Sequence, residues 1–121
     1  ALRPDVRNVS YLDITFDEIA AVGENPLVVL DPPYEGTKTP YNKKNGQFDY
    51  ATYWQHAREL ARSFDLVIFD TAGNLERAGY PVHGTRTMLM NGARRAEAEA
   101  VSFVTDGAKP TGDLAKLGFT I

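Results

Sequence analysis

The chain has 121 residues, is 43% hydrophobic and carries a formal charge of −3, which suits one domain (residues 1–121) with a hydrophobic core and excludes a surface that grips phosphate backbone throughout. It has no cysteine and only two histidines, His56 and His83, far apart in sequence, so disulfides and metal sites of recognised spacing are not expected. No run approaches the ~18 apolar residues of a membrane span, and the amino terminus has no basic segment leading into an apolar one; the expectation is a cytoplasmic protein with neither membrane nor metal as partner.

In chain order, residues 9–14 (VSYLDI) read as a short strand. Thr15 opens a helical turn over 16–22, and 23–26 is turn chemistry. Leu27 to Leu30 is wholly apolar and branched, the pattern of a central parallel strand covered on both faces. After a loop rich in Gly, Lys and Asn, Asp49 caps a predicted helix over 50–64. Along it Tyr50, Tyr53, Trp54, Ala57, Leu60, Ala61 and Phe64 recur at helical spacing, and Tyr53, Trp54 and Leu60 are expected to pack on the sheet. Residues 66–69 form the next buried strand, completing a βαβ unit with a right-handed crossover. The runs at 86–90 and 100–105 flank "NGARRAEAE" and pair as an antiparallel hairpin at the sheet edge, and 113–118 is a terminal helical turn. The class is α/β: a parallel βαβ core with an antiparallel edge hairpin.

The stretch "VVLDPPYEGTKTPY" carries the chemistry. Ligands of open α/β sheets collect beyond the carboxyl ends of strands, where Asp31, Pro32, Pro33 and Tyr34 stand. Each proline fixes its own φ and holds the residue before it extended, so the segment is stiff. A carboxylate on Asp31 and the carbonyl of Pro32 can accept both hydrogens of an exocyclic amine, and Tyr34 offers a flat face for stacking worth about 1–3 kcal/mol. The combination suits an aminated heterocycle.

These residues match the signature of amino-directed methyltransferases, and from about residue 9 to 106 the chain resembles the Dam-like DNA adenine-N6 methyltransferase family. Thr37, Tyr41 and Phe48 follow DPPY in the order seen in that family, and "TRTMLMNGARRAEAEAVSFV" is similar to its closing strands. The resemblance implies a Rossmann-like methyltransferase sheet, S-adenosylmethionine as cofactor and adenine-containing duplex DNA as substrate. It also implies site roles: Asp31, Pro32, Pro33 and Tyr34 at the reacting amine, Asp13 and Asp31 toward the cofactor, and Tyr34, Thr37, Lys38 and Tyr41 toward the substrate. Two departures stand out. "VIFDTAGN" places Asp70 and Thr71 where the family has a polar Ser or Asn, and the chain contains neither the family's glycine-rich F-x-G-x-G cofactor loop nor its target-recognition region. The resemblance is thus to the carboxyl-terminal half of such an enzyme, with the amino-terminal half as an expected partner. Methylation of another exocyclic amine (guanine-N2 or cytosine-N4 in ribosomal RNA) and a non-catalytic binding module are the alternatives.

Overall fold

A computed structural model of the chain describes residues 7–33, 48–89, 96–105 and 111–120. Its centre is a four-stranded mixed sheet of β1 (Leu27–Leu30), β2 (Asp65–Thr71), β3 (Gly84–Leu89) and β4 (Ala96–Val104), in the order β1-β2-β4-β3. β1 and β2 are parallel, with Leu30 opposite Ile68, while β4 runs antiparallel to both β2 and β3. The predicted antiparallel pair is therefore present, but only β3 lies at the edge. β4, the last strand in sequence, sits inside, where both of its backbone edges are satisfied.

Helix α1 (Phe16–Ala20) starts at a capping box in which Thr15 and Glu18 exchange side-chain and backbone hydrogen bonds of 3.0 and 3.1 Å. Helix α2 (Tyr50–Ala61) joins the two parallel strands and is capped by Asp49, which accepts from the Thr52 amide at 3.1 Å. These Thr52 hydrogen bonds hold the Asp49 carboxyl below its ordinary pKa. Helix α3 (Ala72–Ala78) follows β2 directly. Thr71 caps its start, and Gly79 closes it at φ 90°, a left-handed conformation that a side chain would strain. A fourth helix, α4 (Thr111–Lys116), lies near the carboxyl end. None of the helices among the described residues is long and apolar enough to cross a membrane.

Alternation along the strands divides the core in two. On one face Leu66, Ile68 and Ala100 pack with Leu60 of α2, Leu75 of α3 and Tyr80, and Val28, Leu30 and Trp54 join them. On the other, Val67, Val101 and Phe103 meet Leu114 of α4 and Phe119. As expected, Tyr53 and Leu60 are buried and Trp54 is half-buried.

Two expectations are corrected. Residues 9–14 do not form a strand: Tyr11–Asp13 is a 3-10 turn in which the Ser10 hydroxyl accepts from the Leu12 amide and the Asp13 amide donates to the Ser10 carbonyl. A serine at that place offers the backbone a local partner in place of a sheet ladder. Nor is β1 covered on both faces. It is an edge strand among the described residues, with Leu27 50% and Val29 57% exposed, although Val29 stands in register with buried Val67.

Candidate active site

Asp31, Pro32 and Pro33 leave the carboxyl end of β1, next to the carboxyl end of its parallel neighbour β2. Asp31 is exposed, and both prolines are half-buried. They border a cavity of about 310 Å³ whose other walls include Ser10, Tyr11, Phe48 and Tyr53. The turn at 11–13 lies against one side, and the start of α2 closes the other.

Part of the wall is aromatic, and Val9, Val29 and Leu30 add aliphatic surface. The rings of Tyr11 and Phe48 are stacked at 5.8 Å, and Tyr53 meets them at 6.0 and 5.7 Å. Such rings suit a planar apolar body, and the Asp31 carboxylate is a polar group at its border. Tyr50 hydrogen-bonds through its hydroxyl to the carbonyl oxygen of Pro33 at 2.7 Å, tying the helix start to the turn.

Tyr53 is 3% exposed, and its hydroxyl has no hydrogen-bond partner among the described residues. Burial first, then Asp70, Tyr80 and Asp31, push its pKa above the ordinary phenol value, so the hydroxyl remains a neutral donor. That same list of neighbours brings Asp31 and Asp70 within electrostatic range of one group.

Asp70 is fully buried and accepts hydrogen bonds from the Thr71 amide at 2.7 Å and the Asn74 side-chain amide at 2.8 Å. Asn74 in turn accepts from Arg77 through its side-chain oxygen. The unusual "DTAGN" segment thus builds the junction between β2 and α3.

Of the residues singled out by sequence, Asp31, Pro32 and Pro33 come together at the cavity with Phe48. Asp13 is exposed in the adjacent turn and is not among the cavity's lining residues; Ser10 and Tyr11, three and two positions earlier, line it instead. Tyr34, Thr37, Lys38 and Tyr41 lie outside the described residues. Tyr11, Tyr50 and Tyr53 were not anticipated as site residues. The available signal was the polar tip on each tyrosine, since a buried Tyr hydroxyl requires a partner that an apolar core does not supply.

His83 serves the sheet, its Nδ1 accepting from the Phe103 amide at 3.0 Å, and His56 lies edge-on to Tyr11 at 5.5 Å. Among the described residues no group of three His, Cys, Asp or Glu could hold a metal ion.

No family model matches the chain, and neither the curated proteins nor the solved structures give a match.

Proposed function

We propose that this chain is the amine-binding half of an S-adenosylmethionine-dependent DNA adenine-N6 methyltransferase. The observation that supports the reading is the stiff Asp-Pro-Pro segment at the carboxyl end of a parallel strand, bordering a cavity of about 310 Å³ lined in part by aromatic rings. The parallel pair joined through α2 and the antiparallel final pair agree with the Rossmann-like sheet that the sequence resemblance implies.

In this reading the target base is turned out of the duplex, at a cost of a few kcal/mol, and enters beside Asp31. The Asp31 carboxylate and the Pro32 carbonyl accept one hydrogen each from its exocyclic amine, which directs the nitrogen lone pair away from them. Tyr34 stacks on the ring, and Thr37, Lys38 and Tyr41 belong to the substrate side. Asp31 holds the amine without having to deprotonate it fully. The chain's contribution to rate is therefore orientation and a fixed negative charge beside an amine that becomes positive.

The cofactor supplies an electrophilic methyl group when bound. The residues present fit part of it: the rings of Tyr11, Phe48 and Tyr53 on the cavity wall suit a planar ring. The segment carrying Asp13 forms one wall through Ser10 and Tyr11. The amino-acid end of such a cofactor is held in the family by the glycine-rich loop, which this sequence does not contain. The partner in this reading is a second half bearing that loop, placed against the exposed flank of β1.

Two titrations test the proposal. The 121-residue chain alone is expected to bind S-adenosylmethionine weakly or not at all by calorimetry, and to methylate nothing. The complete enzyme is expected to place label from the methyl donor on adenine N6 of duplex DNA. Saturable micromolar binding with turnover by the chain alone would overturn the division into halves. Label on guanine N2 or cytosine N4 of ribosomal RNA would move the reading to that acceptor, and no transfer at all would leave a binding module.

A further inference from the structure

From the Cα of Asp31 through Pro33 five backbone torsions set the course of the chain, and four are restricted by sequence alone. The rings of Pro32 and Pro33 lock φ at both residues, and ψ of Asp31 and of Pro32 is confined because each precedes a proline. The remaining soft torsion is ψ of Pro33, which sets the direction of its carbonyl and the direction in which the chain leaves toward residue 34. That carbonyl accepts the hydrogen bond from the Tyr50 hydroxyl at 2.7 Å. The donor is itself braced: Tyr50 is the first residue of α2, which is fixed by the Asp49 cap, and its ring packs edge-on against Phe48 at 5.0 Å.

We propose that Tyr50 is the positioning residue of this segment, its hydroxyl anchoring the Pro33 carbonyl to α2 and so holding the amine acceptors in one arrangement. The proposal rests on the methyl-transfer reading given above. Tyr50 touches no substrate; it acts through the Pro33 carbonyl. Two of the possible acceptors at the turn are thereby assigned different tasks. The Pro33 carbonyl is taken up by the protein, and the Pro32 carbonyl, in a peptide group with no N–H, is left to the ligand. A motif with two adjacent prolines needs such an external tie because it has no amide hydrogen of its own at either ring with which to close a turn.

Tyr50→Phe removes the hydroxyl and keeps the ring against Phe48, so the fold is expected to survive, and thermal unfolding by circular dichroism checks that it does. In the 121-residue chain labelled with ¹³C at proline carbonyls, the substitution is expected to move one infrared carbonyl band to higher frequency, while Tyr53→Phe moves none. In the complete enzyme, Tyr50→Phe is expected to lower kcat about tenfold with the KM for S-adenosylmethionine unchanged, the loss of one part-buried hydrogen bond felt at the reacting amine.

An unshifted carbonyl band would overturn the proposal. So would a shifted band with full kcat, which would make the hydroxyl a structural tie only and leave the methyl-transfer reading standing. Absence of transfer by the unaltered complete enzyme would overturn the functional reading, and the positioning role with it, whatever the infrared result.

Discussion

The two ends of the sheet are finished in opposite ways. At the β3 end, Thr120 forms an antiparallel bridge to Thr85 with hydrogen bonds of 2.9 and 2.7 Å. Arg86 there binds the Glu99 carboxylate at 2.7 Å and the Leu117 carbonyl at 2.6 Å, with its guanidinium 4.5 Å from the centre of the Phe119 ring. At the β1 end no strand among the described residues pairs with the outer edge, and two of the four apolar side chains of β1 are half exposed. The closed end contributes stability. The open end carries the Asp-Pro-Pro turn and its cavity, where apolar surface is left available and few contacts constrain a ligand or a partner.

The sharpest break in this contrast is at Asp31. If the methyl-transfer proposal holds, Asp31→Ala in the complete enzyme is expected to reduce transfer about a thousandfold while the thermal midpoint stays where it was, because the side chain is exposed and the proposed role is at the amine. Near-normal turnover would remove the carboxylate from the mechanism.

The closed end is expected to fail through stability instead. Arg86→Ala leaves Glu99 nearly buried without its ion pair; with Arg86 about a third exposed, the cost should be about 2 kcal/mol in urea unfolding, below that of a fully buried pair. Val29→Ala on the open flank should cost no more than about 0.5 kcal/mol in the same assay. Equal costs would show that the two ends are covered alike.

Stacking gives a graded effect. Tyr34→Phe or Tyr34→Trp is expected to keep part of the activity, and Tyr34→Ala to lose about tenfold or more. Equal rates in all three variants would dispose of the ring as a platform.

The smallest effect at neutral pH comes from Tyr53. Its folded pKa lies above the unfolded value of about 10, so the folded state holds the proton more tightly. The associated stability is complete below pH ~10 and is lost as the pH rises above it, since the unfolded chain then deprotonates first. Tyr53→Phe should flatten the alkaline limb of a stability–pH curve; an unchanged limb would place the transition elsewhere, with Tyr80, whose pKa burial also raises, the next residue to substitute.

Much of this architecture was legible because its signals are local. The Asp49 cap, the helical spacing of Tyr53, Ala57 and Leu60, and the branched run of β2 each depend on residues within a turn or two of one another, and the structure has them where the sequence places them. Which neighbour a strand receives is decided at long range. "LVVL" and "LVIF" look alike, yet Leu66 and Ile68 are fully buried while Leu27 and Val29 stand half exposed, because an apolar run records the absence of polar groups and not what covers them. Helix α3 was missed although Thr71 and Gly79 mark both of its ends; its short "AGNLERA" gave too few turns for periodicity to register. The terminal turn predicted at 113–118 overlaps α4, but that its Leu114, with Phe119, covers the second face of the sheet is decided at long range. The Asp-Pro-Pro segment follows β1 where the sequence places it. Tyr11 and Tyr50 were not legible as site residues, since their roles arise from a ring stack across 37 residues and a hydrogen bond across 17.

The bare flank of β1 has a colloidal consequence as well. Its four residues include no charge, proline or bulge to discourage pairing, and an unguarded apolar strand is a template for another chain. In concentrated solution the chain is expected to self-associate through this edge, forming species whose size grows with concentration and which expose little new helix. Val29→Lys, placing a charge on the outward face, should return the sedimentation profile to a single small particle; persistence of the larger species would locate the sticky surface elsewhere. The segment that the proposed enzyme uses to join its halves is thus the one that needs shielding whenever the chain is handled by itself.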